Sequence, residues 1–493
     1  MQLLISNLIS LQRFHQFAGD QLEAISFLSN ISGDSDLCQQ AQVVFDGMYE
    51  TWFEDDDEDM EPNLEIYNLL ISIYANCGDL KSAEGILAKM EDEGNEIPST
   101  DTNTYIAIME GYGTNGKNLG KAKEIFDRLR NEKEPSIEAF NSMLSLWKKS
   151  GDWNAPQKAE DLLSEMIGAG DDNEPLVPSP NTETFCLVME CISRNTPKSK
   201  SYKVVSKIEE LVASMEEQIE YGNDSINPMH RDIMNTRIKA LSLSKKKGVG
   251  FDAVGLLFGM IKRYRESNDE SERPNAASFI NAINARKYDR SDESAERASE
   301  LLGVLEDFYR VEVEAGDECD DLKPDVRVYN AVMGIWSRSK ASNKGKETKV
   351  LFDKLQSLYE ETSDSDYSPN LRSYNNLMSA CAFTKGSEEE CKGSLNLMMG
   401  TFKMMREKSA SVQPNHVTFG MVLKGCGNLM PDIEKRKTVI EKVFRHSCKE
   451  GQVSDFVINS LFEATSTAFV EKLLGSGVED GIQIPAEWSR NVD

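Results

Sequence analysis

Proline punctuates this chain at a spacing that few folds can absorb. Pro62, Pro135, Pro180, Pro274, Pro324, Pro369 and Pro414 are each followed by a small polar residue, and a related Asn227 and Pro228 falls inside the longest gap. The separations are 73, 45, 94, 50, 45 and 45 residues. Pro228 splits the 94 and Asp101 divides the 73, so one unit of about 35 to 50 residues tiles the chain, a length typical of helical repeats. Proline cannot continue a helix and biases its predecessor to extended backbone, so each one closes a second helix and sets up the entry to the next unit. With 493 residues the chain exceeds a single hydrophobic core, and a solenoid that grows by stacking neighbours accounts for that length.

Within each unit one order returns: an aromatic or Met, often followed by Asn, an apolar helix, a short polar turn, and a second amphipathic helix. The openings are Tyr67 and Asn68, Phe140 and Asn141, Met234 and Asn235, Tyr329 and Asn330, Tyr374 and Asn375. Variants are Tyr105 and Ile106, Phe185 and Cys186, Phe279 and Ile280, Phe419 and Gly420. In the first complete unit Leu69, Leu70, Ile73 and Tyr74 recur at helical spacing, Gly78 and Asp79 make the turn, and Ala83, Ile86, Leu87 and Met90 form the second stripe. One such pair cannot bury its stripe alone, and stacking makes the core continuous.

Stretches such as YNLLISIYANCGDLKSAEGILAKMEDEGN (67 to 95) and YIAIMEGYGTNGKNLGKAKEIFDRLRNEKEPS (105 to 136) resemble pentatricopeptide repeats of the P type, with elongated units. The resemblance implies an all-α fold, a right-handed α-solenoid superhelix of helix-turn-helix repeats. Residues 1–63 read as an N-terminal helical cap or degenerate repeat. Nine units follow at 64–101, 102–136, 137–181, 182–230, 231–275, 276–325, 326–370, 371–415 and 416–454, and 455–493 form a partial tenth unit and C-terminal cap. Most units exceed the family's typical length by acidic insertions such as Asp55 to Asp59, Asp171 to Glu174 and Ser363 to Asp366. These read as solvated loops, with metal binding or docking of a protein partner as the alternatives.

In that family each repeat reads one base of single-stranded RNA. The base is chosen by the residue after the opening aromatic together with the last residue of the unit. An amide or carboxylate suits the task because it offers a donor, an acceptor or both to a Watson–Crick edge. Carried over, the pairs are Asn68 with Asp101, Asn141 with Asn181, Asn235 with Asn275, Asn330 with Asn370, and Asn375 with Asn415. Ile106 with Ser136, Cys186 with His230, Ile280 with Asp325, and Gly420 with Ser454 complete the set. Asn with Asp resembles a uridine reader and Asn with Asn a pyrimidine reader, so the implied target is pyrimidine-rich. The alternative is that these asparagines are helix caps, whose short side chains bond orphan N–H groups of a first turn.

Two positions before the aromatic, where the family usually places an apolar residue against the base, stand Glu65, Asn103, Glu138, Glu183, Asp232, Ala277, Arg327, Arg372 and Val417. A carboxylate there repels phosphate, whereas an Arg plane can stack on a base and offset charge. The formal net charge is −28, yet the first helices with their turns sum to +17. Four early units contribute +4 and the next four +12, through Lys245, Lys246, Lys247, Arg286, Arg338 and Lys340 among others. RNA contact is therefore expected mainly in units five to nine. The alternative is that these cations keep helix ends soluble and complement the helix dipole.

Catalysis finds no support. The glycines Gly111, Gly113 and Gly116 with Lys117 approach a phosphate-binding loop, but Asn118 stands where a hydroxyl should hold magnesium, and a helix rather than a strand precedes it. His15, His230, His416 and His446 lie far apart, and no Cys-x-x-Cys pair exists, so neither metal nor cofactor is expected. The nine cysteines are scattered and odd in number, which reads as buried thiols in a reducing compartment. No run of 18 apolar residues offers a membrane span. Met1 to Gly19 holds one Arg and no acid, which suits either a transit segment or a helix with Leu8, Leu11 and Phe14 on one face. The resemblance implies a mitochondrial protein, with a plastid as the alternative. The rival reading is a protein-binding scaffold of the tetratricopeptide kind, which the overall acidity favours.

Overall fold

A computed structural model describes isolated positions between 38 and 49, then residues 62–92, 97–113, 118–132, 135–168, 177–316, 319–407, 411–475 and 484–492. The N-terminal segment, the acidic runs 55–59 and 171–174, and Gly116 with Lys117 lie outside the described residues. Every regular element described is a helix, and the helices alternate as pairs along the chain. None of them is long and apolar enough to cross a membrane. The chain divides into two compact units, Met1–Thr236 and Arg237–Asp493.

In the first unit the opening helices are α1 (Leu64–Cys77), α3 (Thr102–Gly113), α5 (Ile137–Lys149) and α7 (Thr182–Asn195). Each is followed by a partner: α2 (Leu80–Glu91), α4 (Leu119–Glu132), α6 (Ala155–Gly168) and α8 (Val204–Glu220). The helix α9 (Arg231–Leu243) contains the division between the units. In the second unit the pairs are α10 (Val249–Ser267, the partner of α9), α11 (Ala276–Ala285) with α12 (Asp292–Ala315), and α13 (Val326–Arg338) with α14 (Lys344–Thr362). They continue with α15 (Leu371–Ala382) and α16 (Glu388–Met405), α17 (His416–Leu429) and α18 (Ile433–Lys449), and α19 (Asp455–Ala464) and α20 (Thr467–Leu474).

Within each compact unit consecutive first helices stack on one another, as α1 does on α3 and α17 on α19, while each second helix packs against the first helices beside it. Small residues permit the closest approaches: a Cβ on Gly111 would lie 2.3 Å from the Ala75 Cβ, and one on Gly427 would lie 2.8 Å from the Ala464 Cα. The opening aromatics are the core of this stack. Tyr105, Phe140, Phe185, Phe279, Tyr329 and Phe419 are fully buried, and Phe126 meets Phe140 edge-on at 5.0 Å. The expected turn is present, with Gly78 in the left-handed conformation at φ 85° and Asp79 accepting from the Ser82 N–H.

The polar residue after most of the punctuating prolines caps the next first helix, Ser136 being the exception. Asn63, Asn181, Asn275, Asp325, Asn370 and Asn415 each accept a first-turn backbone N–H. Proline stands where the helix needs no donor, and its neighbour satisfies one that would otherwise be orphaned.

Two expectations are corrected here. The run Ser363 to Asp366 is more than a solvated loop: Lys323 bridges to Asp364 and, at 2.9 Å, to Asp366, and its ammonium lies 5.1 Å from the centre of the Tyr367 ring. One repeat earlier Arg273 reaches Asp321 at 3.1 Å. The residues before Pro274 and Pro324 thus tie their linkers to acidic residues of the following repeat. The cysteines, all free among the described residues, divide between buried (such as Cys191, Cys381 and Cys426) and half-buried (such as Cys186 and Cys448).

At the C-terminal end, residues 484–492 fold back on the turn after α18. Trp488 meets Phe444 edge-on at 5.9 Å, its carbonyl accepts from the Val453 N–H at 2.8 Å, and the Asn491 N–H donates to the Gly451 carbonyl at 2.9 Å.

Candidate functional site

Because the aromatic faces the core, the residue after it lies toward the edge of the first-helix stack, half-buried at Asn68 and Asn375 and buried at Asn141 and Asn330. This geometry brings the two members of several expected pairs into contact. The Asn68 Nδ2 donates to Asp101 Oδ1 at 3.1 Å, Asn330 to Asn370 at 3.2 Å, and Asn375 to Asn415 at 3.3 Å. In the third repeat Asn141 instead donates to Glu183 Oε2 at 3.2 Å, while Asn181 caps its helix. Asn275 caps α11, and Asn235, half-buried on α9, belongs to the other compact unit. Capping therefore explains the Asn or Asp that ends a pair, and it does not explain the opener, which lies inside its helix. For Asp101, partial burial pushes the carboxyl up, but hydrogen bonds from Thr104 and Asn68 outweigh it and hold the group below the ordinary carboxylate range.

Two clefts open at equivalent places, one in each compact unit. The first, of about 610 Å³, is lined by Lys148, Asn181, Glu183, Cys186, Glu190 and Asp232. Its one lysine bonds Glu190 at 2.9 Å. The second, of about 640 Å³, is lined by Arg338, Asn370, Arg372, Asn375, Asn376 and Val417. It holds the Asn375 amide together with Arg372 and Val417, the residues expected to read and flank one base.

The basic candidates separate into three groups. Lys245, Lys246, Lys247 and Lys340 are exposed in the turns after their first helices. Arg338 folds back on its helix end, donating to the Gly334 carbonyl, and desolvation there followed by the charge of Arg372 lowers its pKa. Lys287, which the sequence reading passed over, is pushed below the ordinary lysine range by burial and then by Arg338, Arg372 and Lys245. These four cations, one from each of four consecutive repeats, form a row whose members repel one another. Its sequence signal was the Arg286-Lys287 pair at the end of a first helix.

Two candidates take other roles. Arg286 is buried, 4% exposed, with its guanidinium 5.3 Å from the centre of the Phe251 ring and its stem where a Cβ on Gly250 would sit. It fills the joint between α10 and α11 and is not available to a phosphate. Arg327 is exposed but turns to Asp325, Nε to Oδ2 at 2.5 Å, while Asp325 also accepts the Arg327 and Val328 N–H groups. That carboxylate is committed to its cap and its ion pair. The near phosphate loop is likewise set aside: Gly111 and Gly113 are buried in the last turn of α3, and a helix leads into it.

The family model for the pentatricopeptide repeat domain matches residues 54–102, 98–149 and 357–429. A chloroplastic pentatricopeptide repeat-containing protein of Arabidopsis thaliana is 21% identical over 425 residues, 83% of this chain and 40% of its own length. A mitochondrial one from the same plant is 28% identical over 146 residues, 30% of this chain and 19% of its own length. The chain thus spans 40% or less of these relatives. Among solved structures, the pentatricopeptide repeat protein PPR10 from maize aligns with 97% of this chain and 69% of its own, at 16% identity and a TM-score of 0.44. The chain thus resembles pentatricopeptide repeat sequence at residues 54–149 and 357–429, and the described helices there are built as stacked pairs.

Proposed function

We propose that this chain binds single-stranded RNA along its first-helix edge, one base per repeat, as part of RNA processing, stabilisation or translation in an organelle, the mitochondrion by preference over a plastid. The observation that carries this reading is the second-unit cleft. Asn375 and Asn370 present amides there, Arg372 and Val417 offer flat flanks for a base, and Lys245, Lys287, Arg338 and Arg372 supply a positive row whose mutual repulsion a phosphate strand would relieve. The nine repeat boundaries set out above define the reading register, and the Asn-containing pairs make the preferred strand pyrimidine-rich.

Fluorescence anisotropy with pools of single-stranded RNA tests it. A pyrimidine-rich pool should bind more tightly than a purine-rich one, with affinity falling as salt rises and with preference lost in Asn330→Ala and Asn375→Ala. Absence of binding to both pools at low salt would overturn the proposal and direct attention to a basic peptide, the ligand the acidic cleft of the first unit would accept.

A further inference from the structure

The reading asparagines are themselves held by a third residue. In three repeats a threonine, three positions beyond the last residue of the unit, reaches back to the opener. Thr104 donates to Asn68 Oδ1 at 2.6 Å, Thr184 to Asn141 Oδ1 at 2.8 Å, and Thr418 to Asn375 Oδ1 at 2.6 Å. Each of these hydroxyls also accepts the backbone N–H of its cap residue, Asp101, Asn181 or Asn415, at 3.2 Å. A hydroxyl has one proton, and two oxygens compete for it: the opener's Oδ1 and, at 2.8, 2.9 and 3.1 Å, the cap's own Oδ1; the opener's oxygen is the nearer in each repeat.

The sequence sorts the same way at all nine junctions. Where the opener is Asn, the third position carries a hydroxyl: Thr104, Thr184, Ser278, Ser373 and Thr418. Where the opener is Ile, Cys or Gly, it is Ala139, Ile233, Val328 or Val457. Capping alone does not require this, because Asp325 and Ser454 cap their helices with Val at that position. The hydroxyl answers the opener.

We propose that this residue is a positioning and specificity residue for base reading, a role that rests on the RNA-binding proposal above. With threonine, the asparagine's Oδ1 is occupied and one Nδ2 proton goes to the neighbouring repeat. The base is left a single N–H donor in a fixed direction. With serine the lock opens. The Ser373 hydroxyl lies 3.3 Å from Asn370 Oδ1 and does not reach Asn330, whose own Oδ1 is buried with no hydrogen-bond partner in a residue only 2% exposed. With its Nδ2 donating to Asn370 at 3.2 Å, that amide keeps one N–H donor and an unoccupied Oδ1 acceptor. Threonine junctions therefore demand an acceptor on the base edge, and the Ser373 junction accepts a wider set.

The test is selection of bound strands from a random single-stranded RNA pool by the full chain, followed by sequencing. The base facing the eighth repeat is identified as the position whose preference Asn375→Ala erases. Thr418→Val, which keeps shape and removes the hydroxyl, should reduce an about tenfold preference at that position to about twofold, with other positions unchanged. Thr418→Ser should fall between, and Ser373→Thr should sharpen the position read by Asn330. Unchanged preference in Thr418→Val, or an even loss at all positions, would show a purely structural hydroxyl and overturn the proposal. If the unaltered chain enriches no position, base reading itself is absent and the proposal falls with it.

Discussion

In the compact unit that ends at Thr236, the cleft beside the reading residues is lined by Glu183, Glu190 and Asp232, and its Lys148 is bonded to Glu190. In the unit that begins at Arg237, the cleft at the same place in the repeat is lined by Arg338, Arg372 and Val417, with Lys287 close enough to feel their charge. The two are similar in size, and each is built by three consecutive first helices, the last of them in the first unit being the helix that contains the division. Among the residues that differ are those two positions before the opening aromatic or Met, Glu183 and Asp232 in one and Arg372 and Val417 in the other. The difference teaches that the scaffold fixes where a ligand could lie, and a few variable positions set the sign of the field it would meet.

Reversing that sign in the second unit should have the largest effect. Arg372→Glu together with Lys287→Glu is expected to lower affinity for a pyrimidine-rich RNA about 100-fold at low salt and to flatten the dependence of affinity on salt. Anisotropy titrations at several salt concentrations measure both. An unchanged slope would mean that these cations do not meet phosphate, and the contrast between the clefts would lose its functional meaning.

The converse change in the first unit should act more weakly and in the other direction. Glu183→Gln with Glu190→Gln removes two carboxylates, frees Lys148 and keeps an acceptor for the Asn141 amide. Affinity should rise about fivefold at low salt, and the gain should vanish as salt screens the site. A gain in peptide binding instead of RNA binding would separate the two units by ligand class.

Much of this contrast was legible in the sequence, because charge at a fixed register of a repeat is a one-dimensional property. The opener and the cap could be told apart only with the helix starts in hand: Asn375 and Asn415 are the same residue type, and only their place relative to the first turn decides which one caps. Arg327 and Arg372 share a register yet behave differently, since Arg327 follows a carboxylate cap, Asp325, while Arg372 follows the neutral amide of Asn370. That distinction lay in the sequence and needed only the capping geometry to be seen. Arg286 did not. Its burial depends on Gly250 leaving room on a neighbouring helix, a tertiary fact that no local pattern carries.

The linkers sharpen the comparison at the level of stability. In the second unit Lys323 ties its repeat to Asp364 and Asp366 of the next. Burial would lower its pKa, but the two carboxylates outweigh that and raise it above the ordinary lysine range. The stabilisation is therefore fully present below the unfolded-state lysine value and is lost as pH rises through the elevated one. Lys323→Met should lower the unfolding free energy by roughly 1 kcal/mol at neutral pH, the upper end for a solvent-screened pair. Urea denaturation at low and high salt measures it, and a loss that is unaffected by salt would assign the effect to packing on Tyr367 instead.

The smallest effect belongs to the first reading pair. Asp101 is held below the ordinary carboxylate range because its hydrogen bonds from Thr104 and Asn68 favour the charged form over the opposing effect of partial burial. A depressed carboxyl contributes stability that is present above the unfolded value of about pH 4 and disappears as pH falls through the folded value. Asp101→Asn keeps a capping side chain and removes the titration. The variant should melt slightly below the unaltered chain at neutral pH, and the two melting temperatures should converge as pH falls through the depressed value. Parallel melting curves at every pH would mean that the carboxylate's charge adds nothing to the junction, leaving Asp101 with the same task that Asn370 and Asn415 perform in the second unit with neutral amides.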